Sequence, residues 1–131
     1  MFKRNNATKV ISLILLLSFF FWAFSGCAKK PKVYKIGAIL PLTGKAAIYG
    51  QWIQQGMTLA LEEVNQQAEA KGPKIEIVYE DSGGGAKDAV TAINKLMTVD
   101  HVRVVFSTGS SMTAAIAPIA ESNNILLFTN A

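Results

Sequence analysis

Between an apolar run, Val104-Val105-Phe106, and a helical-looking one, Ala114 to Ala120, stands Ser107-Thr108-Gly109-Ser110-Ser111-Met112-Thr113. Five of these seven residues carry hydroxyls, which could make a nucleophile, a phosphate cradle, a seat for another anion or a helix cap. A nucleophile elbow needs Gly-x-Ser-x-Gly, and Gly109-Ser110-Ser111-Met112-Thr113 lacks the second glycine. The single histidine, His101, precedes the serines, opposite to the hydrolase chain order. The chain is therefore read as a non-enzyme. A phosphate loop needs Gly-x-x-x-x-Gly-Lys-Ser/Thr, whereas Gly44-Lys45-Ala46 lacks both the earlier glycine and the hydroxyl after lysine. Gly83-Gly84-Gly85 lacks dinucleotide spacing, and one His with one Cys makes no metal cluster. No cofactor and no metal is implied.

Two readings remain for Ser110 and Ser111. Both precede an apparent helix start, where unpaired backbone N–H groups and the positive end of the helix dipole favour an anion such as a carboxylate. Equally, one of them could cap its own helix, a contribution of about 1 kcal/mol. Several hydroxyls beside a flexible Gly109 exceed what a cap needs. Tyr49, before a long helix, likewise has two readings: a wall for an apolar ligand group, or a residue packed over the helix start.

The elements that would position these residues alternate. Val33 to Leu40 is β-branched-rich and stopped by Pro41, a strand. Gln51 to Ala70 places Ile53, Met57, Ala60, Leu61, Val64 and Ala68 on one helical face, and Lys71-Gly72-Pro73 ends it. Lys74 to Glu80 is the second strand, and Asp81 to Gly85 a glycine-rich loop. Ala86 to Val99 is a second helix with Ala89, Ile93, Leu96 and Met97 inward. Arg103 to Phe106, Met112 to Asn123 and Ile125 to Phe128 follow as strand, helix and strand. The order β-α-β-α-β-α-β predicts an α/β fold, a parallel sheet with helices on both faces. Ligands of such sheets bind outside the carboxyl ends of the strands. Four strands with no helix after the last make a thin doubly wound domain, so residues 34–131 are expected to be the first part of a longer lobe.

The amino terminus has a different character. Lys3, Arg4 and Lys9 precede Val10 to Phe24, fifteen residues that are apolar except for Ser12 and Ser18. That stretch is short of the ~18 needed to span a bilayer, so residues 1–26 are read as a secretory signal. Phe24-Ser25-Gly26-Cys27 resembles a lipobox, with Phe24 where an aliphatic residue is usual. Cys27 is then the lipidated residue, residues 27–33 a tether, and a membrane a partner through two acyl chains. As the only cysteine, it excludes a disulfide within the chain. Three of the thirteen Lys and Arg fall in the signal, leaving ten against nine Asp and Glu. A net charge near +1 leaves no basic field for nucleic acid.

Three stretches together resemble the branched-chain amino acid (leucine/isoleucine/valine) substrate-binding proteins of ABC transporters. The first is Lys35-Ile36-Gly37-Ala38-Ile39-Leu40-Pro41-Leu42-Thr43-Gly44 with Ala47-Ile48-Tyr49-Gly50 and Gly56 to Asn65; the second is Tyr79-Glu80-Asp81-Ser82. The third is Gly109-Ser110-Ser111 with Thr113-Ala114-Ala115, Ala117 to Glu121 and Ile125 to Phe128. The resemblance implies a type I periplasmic-binding fold, two lobes closing on a hinge, with closure read by ABC permease subunits. By it, Ser110 hydrogen-bonds a ligand α-carboxylate, Gly109 and Ser111 belong to the same seat, Tyr49 flanks the ligand, and Asp81 lies near the cleft. It also implies an exported, lipid-anchored protein in the periplasm or on the outer face of the cell membrane, with an amino acid as ligand. The loop that begins at Thr129-Asn130-Ala131 would complete the contacts, so this chain alone carries half a site and should bind weakly. The alternative within the same fold is a regulatory lipoprotein acting on a protein partner.

Overall fold

The computed structural model describes residues 32–68 and 72–130. The expected signal, Cys27, most of the tether and Ala131 lie outside the described residues. Strands and helices alternate as β1 (Val33–Leu40), α1 (Ala47–Ala68), β2 (Lys74–Asp81), α2 (Ala86–Thr98), β3 (Val104–Ser107), α3 (Ser110–Ser122) and β4 (Leu126–Thr129). The strands pair in parallel in the order β2-β1-β3-β4. The expected alternation and parallel sheet are observed, with shifted boundaries. The consequential shifts are at the helix starts: α1 begins four residues before Gln51, and α3 two residues before Met112. Among the described residues no helix is long and apolar enough to cross a membrane.

Register levels the carboxyl ends of the strands. Leu40 pairs with Asp81, Ile39 with Ser107 and Ser107 with Thr129. The segments after β1, β2 and β3 therefore emerge side by side along one edge.

Side chains of a strand alternate between faces. On one face Ile39 and Val105 join Ala89, Ile93 and Leu96 of α2 and Met112, Ile116 and Ala120 of α3 in one buried cluster. Ile39, Ile93, Leu96, Val105 and Ile116 are fully buried, and each such side chain contributes about 1.5–3 kcal/mol. Gly37 belongs to this face, and a Cβ there would meet Leu96 Cδ1 at 2.7 Å.

The opposite face receives α1 over β1 and β2. Of the apolar side expected to turn inward, Ile53, Met57, Leu61 and Ala68 are half-buried, while Ala60 and Val64 are exposed. An open apolar gap of about 200 Å³ separates Met57 and Leu61 from Ile36, Ile75 and Ile77. Polar ties hold the helix instead. The Ile75 amide donates to Asn65 Oδ1 at 2.8 Å, and Asn65 Nδ2 donates to the Ile75 carbonyl at 2.9 Å. Asn65 thus satisfies part of an edge strand as a neighbouring strand would. Tyr79 Oη reaches the Gln54 carbonyl at 3.4 Å.

Candidate functional site

The chain leaves β1 toward the α1 face and β2, and leaves β3 toward the α3 face and β4. This reversal between two adjacent strands is a topological switch point, the place outside the carboxyl ends where open α/β sheets form their ligand crevice. The segments after β1 and β3 flank it. They carry Tyr49 on one side and Gly109, Ser110 and Ser111 on the other.

On the β3 side, Gly109 is the residue before α3, with φ of 90°. That is the left-handed region, which glycine occupies without the penalty a Cβ brings. No side chain caps α3, and its first turn closes through the Thr113 amide to the Gly109 carbonyl at 2.9 Å. Ser110 and Ser111 are thus the first two residues of the helix, not residues preceding it. Neither caps it, which corrects one of the two sequence readings. Both are exposed, and among the described residues neither hydroxyl has a protein partner. The amides of Ser110, Ser111 and Met112 lie in the first turn, where no intrahelical acceptor exists. Two free hydroxyls beside three free N–H groups at the positive end of a helix form a donor-rich seat for an anion.

The hydroxyls of Ser107 and Thr113 are structural. Thr113 Oγ1 donates to Ser107 Oγ at 3.2 Å and lies 3.2 Å from Thr129 Oγ1, with Ser107 fully buried. This link ties β3, α3 and β4 together beneath the seat.

On the β1 side, Tyr49 lies in the first turn of α1. The sequence places Ile48-Tyr49-Gly50 before the long helix, but Gly50 is helical and buried. A Cβ there would fall 2.1 Å from the Pro41 carbonyl oxygen, so the glycine permits close helix approach. Tyr49 is 62% exposed and meets Trp52 edge-on, with ring centroids 5.8 Å apart and planes at 88°. Trp52 is 59% exposed and extends the aromatic surface; sequence reasoning did not single it out.

Asp81 ends β2, one strand away from the crevice. Its Oδ1 accepts from the amides of Leu42 at 2.8 Å, Thr43 at 3.2 Å and Gly83 at 2.8 Å, and its Oδ2 accepts from Thr43 Oγ1. Burial pushes this carboxyl upward, but the hydrogen bonds from Thr43, Gly83 and Leu42 outweigh it and hold it below the usual carboxylate value of 3.8. Thr43 was a further residue that sequence reasoning missed; its partner lies 38 residues away. A polar cleft of about 250 Å³ nearby is lined by Glu80, Asp81, Asp88 and Lys95 among others. Lys95 Nζ pairs with Glu80 at 2.5 Å, which raises the lysine above its ordinary 10.5. Among the described residues no group of His, Cys, Asp and Glu could hold a metal ion. His101 precedes β3 and Ser110 follows it, so they stand at opposite edges of the sheet.

A family model described as "Periplasmic binding protein" matches residues 33–131. The Leu/Ile/Val-binding protein BraC3 of Rhizobium johnstonii is 33% identical over 95 residues, 72% of this chain and 26% of its own length. The branched-chain amino acid transporter substrate-binding protein LivJ of Streptococcus pneumoniae, solved in complex with isoleucine, superposes with a TM-score of 0.69 and 31% identity. The match covers 75% of this chain and 28% of LivJ. A fatty acid ABC transporter substrate-binding protein from Thermomonospora curvata superposes equally, at 0.69 and 33% identity, over 76% of this chain and 25% of its own. This chain spans about a quarter of the length of the curated relatives it matches.

Proposed function

Because this chain belongs to the periplasmic binding protein family, we propose that it forms part of an exported solute-binding protein that delivers a branched-chain type of amino acid to an ABC importer. The observation that carries this reading is the seat at the start of α3. Its unpartnered Ser110 and Ser111 hydroxyls and free N–H groups stand at the switch point. Such a seat is rich in donors, so it suits a carboxylate. Ser110 donates to the ligand's carboxylate, Gly109 gives the approach its space, and Tyr49 walls the apolar part.

The BraC3 and LivJ relatives support an aliphatic amino acid, and the fatty acid-binding relative shares the carboxylate but not the ammonium. The reading includes the leader: residues 1–26 direct export, and lipid on Cys27 holds the protein to a membrane. Radiolabelled palmitate entering the wild type but not Cys27→Ser checks the anchor. For the ligand, the chain is titrated with leucine, isoleucine, valine and palmitate while its amide chemical shifts are followed. The three amino acids are expected to perturb Gly109–Met112, and Ser110→Ala to weaken them ~2–10-fold, the net worth of one hydrogen bond made in competition with water. Saturable binding of palmitate with none of the amino acids would overturn the reading.

A further inference from the structure

We infer that Asp81 is a positioning residue: it fixes the loop that launches α1, and so sets where Tyr49 stands on the crevice, without itself touching the ligand. The inference rests on the crevice being the ligand site, and it reassigns a residue that the sequence placed near the cleft.

Asp81 faces Leu40 across the β1–β2 ladder, so its carboxylate sits level with the point where the chain leaves β1. There it accepts from the amides of Leu42, Thr43 and Gly83 and from the Thr43 hydroxyl. Both oxygens are engaged within the protein, which leaves little capacity for a ligand cation. The two loops it joins contain glycines in the left-handed region: Gly44 has φ of 80° and Gly83 of 54°. A Cβ on Gly44 would stand 3.0 Å from the Gly83 carbonyl oxygen, so the loops touch where Asp81 ties them. Glycine-rich loops have the most conformational freedom to lose on ordering, and here the carboxylate adds side-chain contacts to the backbone bonds that the Leu42 and Ser82 amides make to the Leu40 carbonyl at 3.0 and 2.9 Å. The path onward is short. The Ala47 amide bonds to the Gly44 carbonyl at 3.3 Å, α1 starts at Ala47, and Tyr49 lies in its first turn. Gly50 presses the same turn against Pro41. Displacing residues 42–44 therefore moves Tyr49 and Trp52.

Asparagine separates positioning from ligand contact. Its Oδ1 can accept the same three amides and its Nδ2 can donate to Thr43 Oγ1, but it carries no charge. The full chain is compared as wild type, Asp81→Asn, Asp81→Ala and Thr43→Val, by amide hydrogen exchange and by titration with leucine. Exchange at Thr43 and Gly83 is expected to rise about tenfold or more in Asp81→Ala, and less in Asp81→Asn and Thr43→Val, with Leu42 changing less because its amide also bonds the Leu40 carbonyl. Leucine affinity is expected to fall ~3–10-fold in Asp81→Ala, through lost preorganisation, and to be largely restored in Asp81→Asn. Equal loss of leucine binding in Asp81→Asn and Asp81→Ala would mean a direct charge contact and overturn the inference. So would unchanged exchange in Asp81→Ala. If wild type fails to bind leucine, the ligand reading fails by itself, and the exchange arm still decides the role of Asp81. If Asp81→Ala does not fold, the exchange of Thr43→Val, which loses one bond, decides it.

Discussion

At the residue scale the chemistry divides between groups that are satisfied within the protein and groups that are not. Ser107, Thr113 and Asp81 spend their oxygens on protein partners. Ser110 and Ser111 keep theirs free among the described residues. All five are oxygen-bearing residues next to glycine or small neighbours, and composition cannot tell the two groups apart. Asp81 also gives a pH prediction. Its carboxyl is held below 3.8 in the folded chain, so its stabilisation is present above that value and fades as pH falls through the lower, folded one. Subtracting Asp81→Ala from wild type removes the contributions of neighbouring Asp88 and the Glu80–Lys95 pair. The difference in urea midpoint is expected to be constant from neutrality down to about pH 4 and to shrink as pH falls further below 3.8. A difference that persisted unchanged to the lowest pH would show that the charge contributes nothing.

At the element scale, two glycines of α1 make opposite predictions. Gly50→Ala puts a methyl 2.1 Å from the Pro41 carbonyl. The helix must move, and overpacking of this kind costs about 1–3 kcal/mol. Gly56 has nothing within 4 Å of its would-be Cβ. Gly56→Ala is expected to stabilise by about 0.5–1 kcal/mol through helix propensity. Urea denaturation of both variants checks the pair. The same helix shows what was legible in the sequence. Apolar spacing located α1 and α2, because burying one face of a periodic element leaves a period in the chain, and the β-branched run stopped by Pro41 located β1. The helix starts were not legible. Gly50 resembles a turn residue unless the Pro41 carbonyl beside it is known, and Ser110 resembles a cap unless Gly109 is known to hold φ of 90°. Contacts between residues 38 or 39 apart, such as Thr43 and Leu42 with Asp81, leave no local pattern. Half-burial of α1 was equally hidden, since an amphipathic pattern reports which side faces inward and not how closely it packs.

At the scale of the whole molecule, a parallel sheet with a level carboxyl edge brings three segments together, and the reversal of chain direction between β1 and β3 selects two of them as the walls of a crevice. The candidate residues Tyr49, Gly109, Ser110 and Ser111 lie on those walls, while Asp81 braces one from the side. On the proposed reading the described residues supply a carboxylate seat open to water, where hydrogen bonds to a ligand largely replace bonds to solvent. Weak binding with a strict demand for the carboxylate is the expected behaviour. The most direct test of that demand compares leucine with leucinamide, which has an uncharged amide in place of the carboxylate, by amide chemical shifts of the chain. Leucine is expected to move the Gly109, Ser110, Ser111 and Met112 signals in a saturable way, and leucinamide to leave them in place. Equal movement with leucinamide, or leucine shifts confined to the cleft at Asp88 and Lys95, would contradict the account.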